Sequence, residues 1–162
     1  MDEKIDILFQ YNPESEFKTI KQLPIGCKLI RFTPSFLDLL KKRCSMSEYL
    51  WSIITAKNYV LFIVKNQDND IIHKSARIGK CYKLNFLNKD EYEIGPCYTT
   101  KSWRGKGIYP FVLKQIISDV PMANYYMFVD EKNLSSIRGV EKAGFTAIGK
   151  IKRCSNGVWR KI

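Results

Sequence analysis

The stretch Trp103-Arg104-Gly105-Lys106-Gly107-Ile108-Tyr109-Pro110 gathers more residues able to do chemistry than any other part of this chain. Gly105 and Gly107 allow positive φ and a close approach of the backbone to a ligand. Where such a bend leads from a strand into a helix, successive N–H groups form a nest for an anion, and the helix end adds about half a positive charge. Arg104 and Lys106 supplement that field, and Pro110 costs little, because a first-turn N–H has no intrahelical acceptor. The residue order is not the Gly-x-x-x-x-Gly-Lys-Ser/Thr of a nucleotide P-loop, and the third glycine of a dinucleotide fingerprint is missing. The chemistry expected is the main-chain capture of a phosphorylated ligand.

The charge is concentrated in the same region. The 162 residues carry 27 Lys+Arg against 16 Asp+Glu, a net of +11. Residues 101–162 hold 12 basic and 4 acidic residues, while 1–100 hold 15 and 12. That excess suits an anionic ligand, and equally a solvated basic face. Other catalytic apparatus is thinly represented. His73 is the one histidine and lies in an apolar stretch, where a strand residue with a satisfied hydrogen bond is a simpler reading than a Ser-His-Asp triad. No ligand spacing suits zinc, so no metal is expected. Cys27, Cys44, Cys81, Cys97 and Cys154 are odd in number and scattered, the pattern of free thiols in a reducing cytoplasm. The longest apolar run, 59–64, is far below the ~20 residues of a membrane helix, and no apolar segment follows the acidic start. A cytoplasmic protein with no membrane partner is expected.

The elements that must position the glycine bend follow from periodicity. A short strand is expected over 27–32, then a helix opening at Thr33-Pro34, then a second opening at the capping box Ser45-Met46-Ser47-Glu48. Together these two helices occupy about 34–57. Strands are expected over 59–65, 71–78, 81–86 and 91–99, a helix over 109–119, a strand over 125–129 and a helix over 133–143. A strand over 145–153 and a type I′ turn at Asn156-Gly157 return the chain as 158–162. The fold class is a mixed α/β domain over 27–162, its central sheet mostly antiparallel and flanked by helices. Residues 1–26 show no clear period and are expected to form an N-terminal extension packing on that domain.

Arg104-x-x-Gly107-x-Tyr109 resembles the acetyl-CoA loop of GNAT-type N-acetyltransferases, Gln/Arg-x-x-Gly-x-Gly/Ala. About thirty residues on, Asn133-Leu-Ser-Ser136-Ile-Arg-Gly-Val140-Glu-Lys-Ala-Gly144-Phe145 resembles that family's second signature, an Asn-capped helix ending in Gly-Phe. The resemblance implies a sheet splayed between 91–99 and 125–129, with the pantetheine arm lying in the gap like a short strand. Backbone around Gly105, Lys106, Gly107, Ile108 and Tyr109 would hold the pyrophosphate, with Arg104 beside it. An amide at Tyr98 or Thr99 would serve as oxyanion hole, with Cys97 next to the thioester or simply a buried strand thiol. Asn133 would touch the cofactor or cap its helix, and Ser136 would face the cofactor or solvent. Gly144 fits a helix C′ position, and mid-helix Gly139 implies close backbone packing.

The implied reaction is transfer of an acetyl group from acetyl-CoA, the co-substrate, to a primary amine by direct attack. A base must take the amine's proton. In the histone-type members a glutamate occupies the place of Glu93, which makes it the expected base, with Glu91 on the same face as the fallback. Two positions depart from the pattern. Val140 stands where the family often has a general-acid Tyr, leaving Tyr98, Tyr125 or Tyr126 as substitutes, and Tyr109 replaces a small residue, so its bulk must point away from the phosphates. Ile94-Gly-Pro-Cys-Tyr-Thr with the loop also looks like members linked to cell-surface polysaccharide biosynthesis, which implies a small-molecule amine acceptor such as a nucleotide-linked amino sugar. The alternatives are a macromolecular amine, with charged tRNA as the nucleic-acid case, and a non-catalytic acyl-CoA-binding protein; a homodimer is open.

Overall fold

The computed structural model describes residues 5–13, 22–79, 91–154 and 159–162. Strands β1 (Ile5–Tyr11) and β2 (Lys28–Phe32) are followed by helices α1 (Phe36–Leu40) and α2 (Met46–Ile54). Strands β3 (Tyr59–Lys65), β4 (Ile71–Gly79) and β5 (Glu91–Thr99) come next, then a single 3-10 turn at Lys101–Trp103 and helix α3 (Ile108–Asp119). The chain ends with β6 (Asn124–Asp130), α4 (Leu134–Lys142), β7 (Phe145–Arg153) and β8 (Trp159–Lys161). The expected strand 81–86 and the turn at Asn156-Gly157 lie outside the described residues.

One boundary and one strand correct the sequence reading. The first helix is capped by Ser35, not at Thr33-Pro34: the Ser35 hydroxyl accepts from the Asp38 N–H and the Asp38 carboxylate accepts from the Ser35 N–H. Asp38 three residues after a serine carried that signal. The second capping box, Ser45 with Glu48, forms as expected. The larger difference is β1, for which periodicity offered no element. It lies inside the sheet, whose strand order is β2-β3-β4-β5-β6-β1-β7-β8, and is covered on both faces. Leu8 belongs to the apolar cluster on one face and Phe9 to that on the other, and a register shift between them interrupts the pairing with β7. A strand buried on both sides shows no clean alternation, and the charges flanking Ile5 hide it further.

Every pair in the sheet is antiparallel except β5–β6. Parallel neighbours need a crossover, and α3 is that crossover, packed on the sheet through Ile108, Val112, Leu113, Ile116 and Ile117. Each such buried aliphatic side chain contributes about 1.5–3 kcal/mol by leaving water. A polar tether fixes the helix end. Asp119, its last residue, accepts from Arg77 on β4 and from Arg31 on β2. Arg77 is buried with its guanidinium 4.9 Å from the Tyr92 ring centre. Asp119→Ala should therefore cost about 3 kcal/mol, since it leaves a buried guanidinium without its carboxylate. Urea unfolding monitored by circular dichroism measures that loss, and a value near zero would show the tether to be dispensable.

Candidate functional site

The β5–β6 pairing is short. Glu91, Tyr92 and Glu93 register with Asn124, Tyr125 and Tyr126, and beyond Glu93 the two strands separate. On the other side β5 stays paired with β4, but with one residue too many: Ile94 faces Arg77 and Cys97 faces Ser75, so Gly95-Pro96 oppose Ala76 alone. This bulge reverses the alternation. Without it Cys97 and Thr99 would share the face of Glu93; with it they turn to the face covered by α3 and α4. Gly95 has φ +155°, a value that suits glycine. The signal was legible as Gly-Pro inside an expected strand, though the sequence reading treated 91–99 as continuous.

A cavity of about 630 Å³ opens where the strands part. Of the positions singled out for the cofactor, Cys97, Tyr98, Thr99, Arg104, Gly105, Gly107, Ile108, Tyr109, Asn133 and Ser136 line it. Lys106 is not among the lining residues; its ammonium stacks 4.1 Å from the Trp103 ring centre. Gly105 and Gly107 both have positive φ, +75° and +80°, and Gly107 is the residue from which α3 starts. A Cβ on Gly105 would meet nothing within 4 Å, so the bend presents bare backbone. The first amide of α3 to bond back is that of Phe111, to the Gly107 carbonyl, so the amides before it point out of the helix end. Arg104 donates through Nε to the Thr99 carbonyl at 3.0 Å, which clamps the bend to the strand.

Helix α4 closes the other wall. The Asn133 carboxamide accepts from the Ser136 N–H at 3.2 Å, so the cap role is occupied while the residue still lines the cavity. Arg138 and Lys142, four residues apart on that helix, add two cations that the sequence reading missed; their i, i+4 spacing beside the expected loop was the available signal. Gly139 allows α4 to touch α3. A Cβ there would stand 2.6 Å from Cδ1 of Tyr109, so the tyrosine that replaces a small loop residue is housed by a glycine thirty positions later.

Tyr109 ends a buried polar chain. His73 has both ring nitrogens engaged, Nδ1 with the Thr99 hydroxyl and Nε2 with the Ser75 hydroxyl, each at 2.7 Å. All donors are satisfied if Thr99 donates to Nδ1, Nε2 donates to Ser75, and Ser75 and Tyr109 both donate to the Cys97 sulfur. Burial holds the His73 imidazole down to about 4, so the ring is neutral. Burial also pushes the Cys97 thiol up to about 11 and the Tyr109 phenol well above its ordinary value. His73 is thus a structural histidine with satisfied hydrogen bonds.

The remaining candidates lie elsewhere. Glu93 is buried on the opposite face of the sheet, opposite Ile78, at the last residue before the strands part. Its carboxylate lies near Gly95, 3.8 Å from where a Cβ would stand. Glu91 accepts from the Tyr126 hydroxyl at 3.0 Å. The Tyr125 hydroxyl donates to the Ile116 and Val120 carbonyls, away from the cavity, and the Tyr98 ring is exposed. Among the described residues, no three His, Cys, Asp or Glu converge as metal ligands.

In sequence the chain matches no protein-family profile and no curated protein. In three dimensions it resembles a GCN5-related N-acetyltransferase from Sphaerobacter thermophilus, with TM-score 0.63 and 13% identity over 93% of this chain and 50% of the other. A GNAT acetyltransferase from Colwellia psychrerythraea gives 0.59 and 14%, over 89% and 53%. An aminoglycoside acetyltransferase solved with coenzyme A gives 0.53 and 15%, over 82% and 92%. The chain therefore has the fold of the GNAT acetyltransferases, and it spans about half the length of the first two of these proteins.

Substitutions at Gly139, Tyr109 and His73 test this geometry. Gly139→Ala improves helix propensity yet should lower stability by about 1–3 kcal/mol, because the buried Tyr109 ring must move; adding Tyr109→Ala should recover part of the loss in a urea titration. His73 titrates at about 4 when folded and near 6.5 when unfolded, so its contribution is complete above the unfolded value and is lost as pH falls from about 6.5 to 4. The loss should approach about 3 kcal/mol, and His73→Gln should flatten that segment of the stability–pH curve.

Proposed function

We propose that the chain is an acetyl-CoA-dependent N-acetyltransferase acting on a primary amine. The observation that carries this reading is the parting of β5 from β6 beside a bare-backbone bend at the start of α3. Coenzyme A requires main-chain donors for a pyrophosphate, cations for its phosphates and a slot for an extended amide-bearing arm. The bend Gly105–Tyr109, the side chains of Arg104, Arg138 and Lys142, and the unpaired edge of β5 beyond Glu93 fit each of these. A Cβ at Gly105 would intrude on the space the bend leaves open.

In this reading the main chain at Tyr98 and Thr99 pairs with the arm and supplies an oxyanion donor near the thioester carbonyl. Glu93 sits where the sheet splits, so an amine arriving from the α1–α2 side would meet its carboxylate while the thioester lies on the α3–α4 side. Glu93 takes the proton of the attacking amine, directly or through a water. The Tyr109 phenol lines the cavity, but its hydroxyl is held by the Cys97 sulfur, so the thiolate, with a free-thiol pKa near ~8.5, leaves without a tyrosine acid. A small amine, such as an amino sugar carried on a nucleotide, suits the basic surroundings; a structural neighbour named as an aminoglycoside acetyltransferase shares the fold.

The test is release of free thiol from acetyl-CoA against amino sugars, polyamines, aminoglycosides, peptides and charged tRNA. Arg104→Ala should raise KM for acetyl-CoA about tenfold with kcat nearly unchanged, since it removes a charge-assisted contact to phosphate. Glu93→Gln should lower kcat at neutral pH by about 100-fold or more. Binding of acetyl-CoA without thiol release across the panel would mark a non-catalytic binding protein, and a pH–rate profile unaltered by Glu93→Gln would remove Glu93 as the base.

A further inference from the structure

The helix pair α1–α2 turns apolar residues both ways. Toward the sheet, Leu39, Tyr49 and Trp51 pack on the cluster that holds Leu8, Leu61 and Ile63. Away from it, α1 presents Phe36, Leu37 and Leu40, and α2 presents Met46, Leu50, Ile53 and Ile54, each 47–64% exposed. The α2 set falls at i, i+4, i+7 and i+8, one stripe of a helix, opposite the buried Ser52 and Thr55. The outward stripe of α2 is thus wholly aliphatic, while its inward side mixes Tyr49 and Trp51 with the hydroxyls of Ser52 and Thr55. The Phe36 and Tyr49 rings, 6.2 Å apart, join the two helices. Seven large apolar side chains left about half or more exposed on two adjacent helices are the kind of surface that marks an interaction site.

The charge around the patch has one sign. Lys41 and Lys42 follow α1, and Lys57 follows α2; all three are exposed and make no ion pair among the described residues. The two acids of the pair are committed elsewhere. Asp38 caps α1 and holds Arg43 at 3.0 Å, and Glu48 caps α2 and holds Lys74 at 2.7 Å. A second copy docking here would bring lysines against lysines. Protein interfaces are enriched in aromatic residues, Met and Arg and depleted of lysine; the patch has Phe36 and Met46 but no outward Tyr or Trp, and the charges next to it in the chain are lysines. Leu, Ile, Met and Phe bordered by lysines are instead the composition of a segment lying in the headgroup region of an anionic bilayer.

We propose that the outward face of α1–α2 docks on the surface of an anionic lipid bilayer, with the apolar stripe entering the headgroup boundary and Lys41, Lys42 and Lys57 against the lipid phosphates. The expectation of no membrane partner rested on the lack of a spanning segment, and docking on a surface needs none. No residue of the face lines the cofactor cavity, which opens on the α3–α4 side, and vesicle binding is read without acetyl-CoA or amine present.

Co-sedimentation of the full chain with extruded vesicles tests it. Vesicles of phosphatidylcholine with about one-third phosphatidylglycerol should pellet the protein, and pure phosphatidylcholine should pellet at least about fivefold less; raising salt from about 0.1 M to 0.5 M should release most of it. Leu50→Glu/Ile53→Glu should reduce pelleting about tenfold, and Lys41→Glu/Lys42→Glu should do so on the anionic vesicles, each with an unchanged circular dichroism spectrum. Equal pelleting with neutral lipid, no pelleting above a lipid-free control, or a wild-type dimer in sedimentation equilibrium that Leu50→Glu/Ile53→Glu converts to monomer would each overturn the proposal.

Discussion

Three residue pairs hold β5 to β6, and everything about the cavity depends on there being no fourth. A parallel pair that ran its full length would satisfy the backbone groups of both strands internally. Because it stops at Glu93, the next residues of β5 have donors and acceptors on one side with no strand to meet them, and an extended ligand can do so. The bulge at Gly95-Pro96 acts at the same place. It keeps β5 attached to β4 while turning Cys97 and Thr99 toward the helices, so the strand changes partners and faces within three residues.

The walls of that opening are coupled through packed side chains, some of which line the cavity itself. Tyr109 belongs to the first turn of α3, leans on Gly139 of α4 and meets the sulfur of Cys97 on β5, so three elements are registered by one ring. His73 extends the registration to β4 through two hydroxyls. At the far end of α3, Asp119 between two arginines fixes the other end of the helix. A helix held at both ends fixes where its N-terminal amides lie, and Arg104 ties the glycine bend before them to β5.

Much of this was legible in the residues. Gly105 and Gly107 announced a positive-φ bend, Asn133 a cap, Ser45 and Glu48 a capping box, and β3, β5 and β7 were readable to the residue from apolar runs and their breakers. What escaped needed two distant segments at once. Gly139 looks like a weak point in a helix until Tyr109 is placed against it. Arg138 and Lys142 look like solvent-facing charges until α4 is set beside the bend. The Gly95-Pro96 bulge changes which face Cys97 and Thr99 occupy, and period-two reasoning carried through it gives the wrong side.

The place of β1 has a consequence for how the chain assembles. Strand β1 pairs on one side with β6 and on the other with β7, each more than a hundred residues further along the chain. Until both have been made, its apolar side chains have no permanent neighbours. Contacts of such long sequence separation slow folding and raise its entropic barrier. The neighbouring strands β3 and β4 can pair first, while β1 must find its place between β6 and β7. A strand in that position stays exposed and adhesive until β6 and β7 have both been made.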